Sequence, residues 1–119
     1  MIEIHHKNNT LITQVHGTFT KEHFNNAFIP IFESMLKEFP EVNIVLKLNN
    51  ELTGWTLLTL LKQFKQYIAP YNGINRLAIV SDSRLLKWKF SLFQLRSCVS
   101  TERFLNKDIE KAKAWLAIG

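Results

Sequence analysis

The run VNIVLKL, Val42 to Leu48, decides the fold class. Val42, Ile44, Leu46 and Leu48 alternate onto one side of an extended chain, and Val45 adds an apolar side chain to the other. Contact on both sides marks an interior strand of an α/β sheet, because a strand with one solvated face alternates apolar and polar residues instead. A second short apolar run, LAIV from Leu77 to Val80, reads as another buried strand.

The flanks fill in around these two strands. Ile2 and Ile4, then Leu11, Thr13 and Val15, alternate on either side of Lys7-Asn8-Asn9, which predicts a β-hairpin with strands near 2–6 and 10–16. Gly17 ends the second strand, and Thr20 caps a helix carrying Glu22 in its first turn. Phe24, Ala27, Phe28, Ile31, Phe32, Met35, Leu36 and Phe39 follow at helical spacing. Pro30 lies inside that helix and is expected to bend or break it, since proline removes a backbone donor. A second helix is expected from about Trp55 to Ala69, stopped by Pro70 and Asn72-Gly73. Ser81-Asp82-Ser83 caps a third helix, and a strand near Val99–Phe104 and a helix from about Lys107 to Ala117 finish the chain. The order is β-β-α-β-α-β-α-β-α. It predicts an α/β domain over residues 1–119 with a five-stranded mixed sheet and four helices.

Composition bounds the function. With 119 residues, 46% apolar and 21% charged, the chain is long enough for a core of its own. MIEIHHKNN has no apolar signal region, no run is long enough to span a bilayer, and Cys98 is alone. These features point to the cytoplasm. The net charge of +5 is uneven: between Leu52 and Thr101 Asp82 is the only acid, against seven bases. Such a field attracts anionic lipid, nucleic acid or an acidic protein face, or it merely solubilises the surface.

The segment RLLKWKFSLFQLR, Arg84 to Arg96, focuses that charge. On a helical wheel Leu85, Trp88, Leu92 and Leu95 form one stripe, and Leu86, Phe90 and Phe93 a second. A helix on a sheet buries one stripe, so the second needs a partner: an apolar ligand, a lipid surface, a second subunit in a homodimer, or the domain's own last helix. Arg84, Lys87, Lys89 and Arg96, with no acid from Ser83 to Thr101, add the chemistry of an anionic membrane surface. Trp55 lies at a strand-to-helix loop beyond the carboxyl end of the central strand, where crevices form in open α/β sheets. Trp55, Leu58 and Trp88 are therefore expected to line one apolar pocket, unless Trp55 only packs its helix terminus. The candidate ligand residues are Trp55, Leu58, Leu85, Trp88, Leu92 and Phe93.

Signals for catalysis are absent from the sequence. There is no GxSxG, P-loop or GxGxxG, and Ser81-Asp82-Ser83 reads as a cap rather than a catalytic pair. His5, His6, His16 and His23 have no metal-ligand spacing and read as surface strand histidines, although His5 and His16 fall on paired strands and could face each other. Cys98 has no base beside it in sequence. No metal, cofactor or reaction is expected.

The layout resembles the SpoIIAA-like family, distant relatives of STAS domains with a similarity to CRAL-TRIO lipid-binding folds. The elements that carry the resemblance are GTFTKE at Gly17–Glu22, VLKL before the Asn49-Asn50 loop, GWT at Gly54–Thr56, RLAIVSD at Arg76–Asp82, Trp88, and AxxWL at Ala112–Leu116. Together they cover nearly the whole chain. The resemblance implies a small cytoplasmic protein that binds apolar ligands or membrane surfaces. The STAS connection also suggests a phosphoserine switch at a DSSG-type stretch opening the second helix. This chain reads LTGWT there, so Thr53 and Thr56 are expected to cap the helix and not to carry phosphate. The expected function is a non-enzymatic module for an apolar ligand or the inner membrane face. The alternative is a STAS-type domain that binds a regulatory protein. Nucleic acid is disfavoured, because no aromatic RNP-type strand pattern or glycine-rich clamp is present.

Overall fold

A computed structural model describes residues 2–16, 21–48, 61–64, 66–82 and 100–118. The strands are β1 (Ile2–Lys7), β2 (Thr10–Val15), β3 (Val42–Leu48), β4 (Ile74–Val80) and β5 (Ser100–Phe104). The helices are α1 (Lys21–His23), continued by a π-helical turn (Phe24–Phe28) into α2 (Ile29–Glu38), then α3 (helical at 61–64 and 66–68) and α4 (Ile109–Ile118), which follows a 3-10 turn (Asn106–Asp108). The strands form one sheet in sequential order. β1 and β2 are antiparallel, and β2 through β5 run parallel. The expected five-stranded mixed sheet is present, and three of the four expected helices fall among the described residues.

Sequential parallel strands add in one direction, so right-handed connections carry their helices to the same side. The packing agrees. Phe24, Phe28, Phe32, Met35, Leu61, Phe64 and Ile68 join Leu11, Val15, Ile44, Leu46, Leu48, Leu77 and Ile79 in the larger core. The alternate residues Val45, Ala78 and Val80 face the opposite side, where Ala112 and Leu116 of α4 cover them. Every β3 residue except Lys47 is buried, as an interior strand requires.

Local chemistry explains the joints. Asn8 takes φ 54°, a left-handed conformation that asparagine tolerates, and so β1 turns into β2 through two residues. The turn is pinned to the start of β3: the Asn43 amide donates to the Asn9 carbonyl at 2.8 Å, and Asn9 Nδ2 donates to the Glu41 carbonyl at 3.2 Å. Gly73 enters β4 at φ 96°, where a Cβ would meet Leu36 Cδ2 at 3.0 Å.

Pro30 does break the first helix, in a specific way. Its ring has no N–H for the Asn26 carbonyl and crowds that carbonyl. The preceding turn widens, and the Ile29 amide reaches back five residues to the Phe24 carbonyl. Pro30 then sits in the first turn of α2, where its missing donor costs nothing.

β4 begins at Ile74, three residues before the expected Leu77. Val42 pairs with Ile74 and Ile44 with Leu77, so Asn75 and Arg76 together oppose Asn43 in a β-bulge. The two polar residues hid this part of the strand from a reading based on apolar runs.

Candidate functional site

The bulge shapes the amino end of the sheet on the α4 side. Asn75 and Arg76 both serve that side: Asn75 lines a groove there, and Arg76 lies over the Trp115 ring, 5.1 Å from its centroid. Arg76 Nη1 also donates to the Trp115 carbonyl, and Asn43 Nδ2 donates to the Leu116 carbonyl at 3.3 Å. These carbonyls belong to the last turn of α4, which has no intrahelical donors for them. The guanidinium also opposes the partial negative charge of the helix end. Two strand side chains thus hold α4 in place.

The groove lies between the β1–β2 turn and α4 and has a volume of about 560 Å³. Ile12, Thr10, Asn43, Asn75, Leu116 and Ala117 line it, with Lys7, Asn8, Asn9, Glu41, Glu110 and Lys113. Asn43 is 4% exposed, yet its Oδ1 has no protein partner. Lys113 and Glu110 form an exposed pair at 3.6 Å, an arrangement that contributes little to stability.

At the opposite end of β4, both Asp82 oxygens accept hydrogen bonds from Asn106: Oδ1 from its backbone N–H at 2.9 Å and Oδ2 from Nδ2 at 3.0 Å. Asp82, expected as a helix cap, thus also anchors the turn into α4. Tyr71 donates its hydroxyl to Glu33 Oε1 at 3.1 Å. Burial raises the Tyr71 pKa above its ordinary value of 10.0, and the Glu33 hydrogen bond and charge raise it further.

His5 and His16, which paired strands could have set facing each other, do not face each other. His5 pairs across the hairpin with Ile12, and His16 Nε2 lies 3.1 Å from Glu3 Oε2. Register explains the difference: β2 ends at Val15 opposite Ile2, which carries His16 beyond the pairing of His5. Among the described residues, no group of three or more His, Cys, Asp or Glu side chains is placed to hold a metal ion.

The residues expected to carry function, Trp55, Leu58, Leu85, Trp88, Leu92 and Phe93, with Arg84, Lys87, Lys89 and Arg96, lie outside the described residues, as do the capping candidates Thr53 and Thr56. Sequence reasoning missed the groove, although Asn43 was a signal for it. A polar side chain within VNIVLKL needs a partner that the strand cannot supply.

Sheet order, core and connectivity define an α/β domain of STAS type. The chain belongs to the SpoIIAA-like family, whose model matches residues 10–117. No curated protein and no solved structure matches the chain. No helix among the described residues is long and apolar enough to cross a membrane.

Proposed function

We propose that this SpoIIAA-like domain is a non-catalytic binding module that docks on the anionic inner face of a membrane, or on an apolar ligand drawn from it, through the segment Arg84–Arg96 together with Trp55 and Leu58. The observation that carries this reading is where the charge sits. Residues 83–99 hold four bases and no acid, whereas the rest of the chain has eleven bases against ten acids. Nearly all of the +5 excess therefore lies in one stretch, interleaved with Trp88, Phe90 and Phe93. Cations beside large apolar side chains are the composition that binds the headgroup boundary.

Flotation with phosphatidylglycerol-containing and purely phosphatidylcholine vesicles tests the proposal. The domain is expected to float with the anionic vesicles alone and to be released by high salt. Each cation at the surface contributes about 1 kcal/mol, so Lys87→Gln with Lys89→Gln should weaken binding roughly thirtyfold. Trp88→Ser with Phe93→Ser should weaken binding more than it lowers thermal stability. If wild type stays unbound at every ionic strength while that apolar pair of substitutions unfolds the domain, both stripes are core and the membrane reading fails. Family membership favours a second reading, a STAS-type domain that binds a regulatory protein; the same segment would then meet an acidic protein face instead of lipid.

A further inference from the structure

The hairpin leaves one edge of the sheet open. β1 is the outermost strand on its side, and no strand lies beside it among the described residues. A two-residue hairpin turn closes on a hydrogen-bonded pair, here Lys7 with Thr10. Such pairs alternate along an antiparallel ladder. His5 with Ile12 and Glu3 with Gln14 are therefore bonded as well, and the backbone N–H and C=O groups of Ile4 and His6 point away from β2. Native proteins blunt an edge of this kind with a bulge, a proline, a very short strand or charged side chains. β1 runs six residues in unbroken register without proline, so only its charges remain to decide what pairs with it.

The order of those charges suits a copy of the same strand. Glu3, His5 and Lys7 are exposed and share the face of Ile12, on the α4 side of the sheet. An antiparallel copy must set outward-pointing residues opposite each other, which favours registers centred on Ile4 or on His5. The first puts Glu3 opposite the second copy's His5. The second puts Glu3 opposite the second copy's Lys7, twice by symmetry. Both registers thus face the carboxylate with a base, and the second does so with lysine at non-hydrogen-bonded positions, where side chains approach most closely. Glu3 Oε2 also meets His16 Nε2 at 3.1 Å in its own chain, and a carboxylate accepts several donors at once. The other edge has the opposite character. β5 laid fully on a copy of itself sets Glu102 against Glu102. Of the two edges, β1 is the one whose charges complement their own image.

We propose that the domain forms a symmetric dimer through β1, antiparallel about a two-fold axis at His5, which joins two five-stranded sheets into one. Ile4 of each copy exchanges both backbone hydrogen bonds with His6 of the other, and two Glu3–Lys7 pairs flank the axis. The interface is small and polar, so the dimer exchanges with monomer.

Sedimentation equilibrium of the full chain over a range of concentrations, without lipid, tests this. A monomer–dimer equilibrium is expected for wild type. His6→Pro removes an outward amide that β2 does not use, so it should keep the fold and abolish the dimer. Lys7→Glu sets like charges opposite each other twice and should weaken the dimer about tenfold. Adding Glu3→Lys to Lys7→Glu restores opposite charges and should return the affinity to within about threefold of wild type. Within one strand the two positions stand about 13 Å apart, so that rescue can arise only between copies. A wild type that stays monomeric throughout, a dimer unaffected by Lys7→Glu, or a double variant without rescue would each overturn the proposal. So would a dimer that persists in folded His6→Pro and is lost with Trp88→Ser, since it would form through Arg84–Arg96 instead. The charge variants keep the test valid should His6→Pro fail to fold. Since lipid is absent, the result is independent of the membrane reading.

Discussion

Tyr71 and Asn43 show how single side chains commit this fold. Tyr71 packs edge-on against Phe32, with ring centroids 5.0 Å apart, and donates to Glu33, so it ties the segment entering β4 back to α2. Burial, reinforced by Glu33, raises its pKa above 10.0. The folded chain therefore holds the phenolic proton more tightly than the unfolded chain does. The resulting stabilisation is fully present below the unfolded pKa and is lost as pH rises through the folded one. Tyr71→Phe is expected to be less stable than wild type by a constant margin from pH 7 to about 9.5, and the margin should shrink above about pH 10. Urea denaturation of both proteins across that range checks this; a margin unchanged at pH 11 would exclude the linkage. Neither role was legible in the sequence. Tyr71 stands between Pro70 and Asn72-Gly73, and Asn43 within an apolar strand, and nothing adjacent in sequence names the partner of either. Both depend on partners more than thirty residues away.

At the scale of elements, the first helix illustrates a legible pattern with an illegible detail. The apolar spacing announced the helix, and Pro30 announced a break. The form of the break depends on tertiary packing. Phe24 is 1% exposed, stacks on Phe28 at 4.7 Å, and meets Phe64 edge-on at 5.7 Å. A regular α-helical turn in place of the π-helical one would rotate everything before it by about 100° and swing Phe24 out of that cluster. The aromatic packing therefore holds the wide turn together with the proline. Phe24→Ala is expected to cost about 3–5 kcal/mol, as removal of a buried phenylalanine does. Pro30→Ala, at an exposed site, should stay within about 1 kcal/mol of wild type, because the packing still selects the wide turn. Chemical denaturation of the two variants decides between causes: a Pro30→Ala loss as large as that of Phe24→Ala would mean that proline alone sustains the turn. The hairpin was legible for the reason the helix was, a periodicity set by one buried face, and β3 was legible from apolar residues on both of its faces. The beginning of β4 was not, because a bulge breaks the period at the two polar residues that line the groove and hold α4.

Across the whole molecule the two faces of the sheet are unequal. Among the described residues, the larger core gathers sixteen buried residues from β2, β3, β4, the π-helical turn, α2 and α3, whereas the α4 side gathers five. Sheet order causes this asymmetry: successive right-handed connections leave the second face to whatever follows the last strand. Only α4 is described there, and it covers Val45, Ala78 and Val80 with Ala112 and Leu116. The smaller interface is reinforced by polar ties from Asn43 and Arg76. Opening α4 alone would expose the smaller cluster and leave the larger one intact, so it should require less free energy than global unfolding. Native-state hydrogen exchange is expected to show α4 amides less protected than those of β3, with a weaker dependence on urea. Leu116→Ala should lower the α4 opening free energy by about 2–5 kcal/mol, the usual cost of emptying a buried leucine site. The β3 amides should change less, since most of their contacts lie on the other face. Equal protection of α4 and β3, falling together in Leu116→Ala, would show one cooperative unit instead of two.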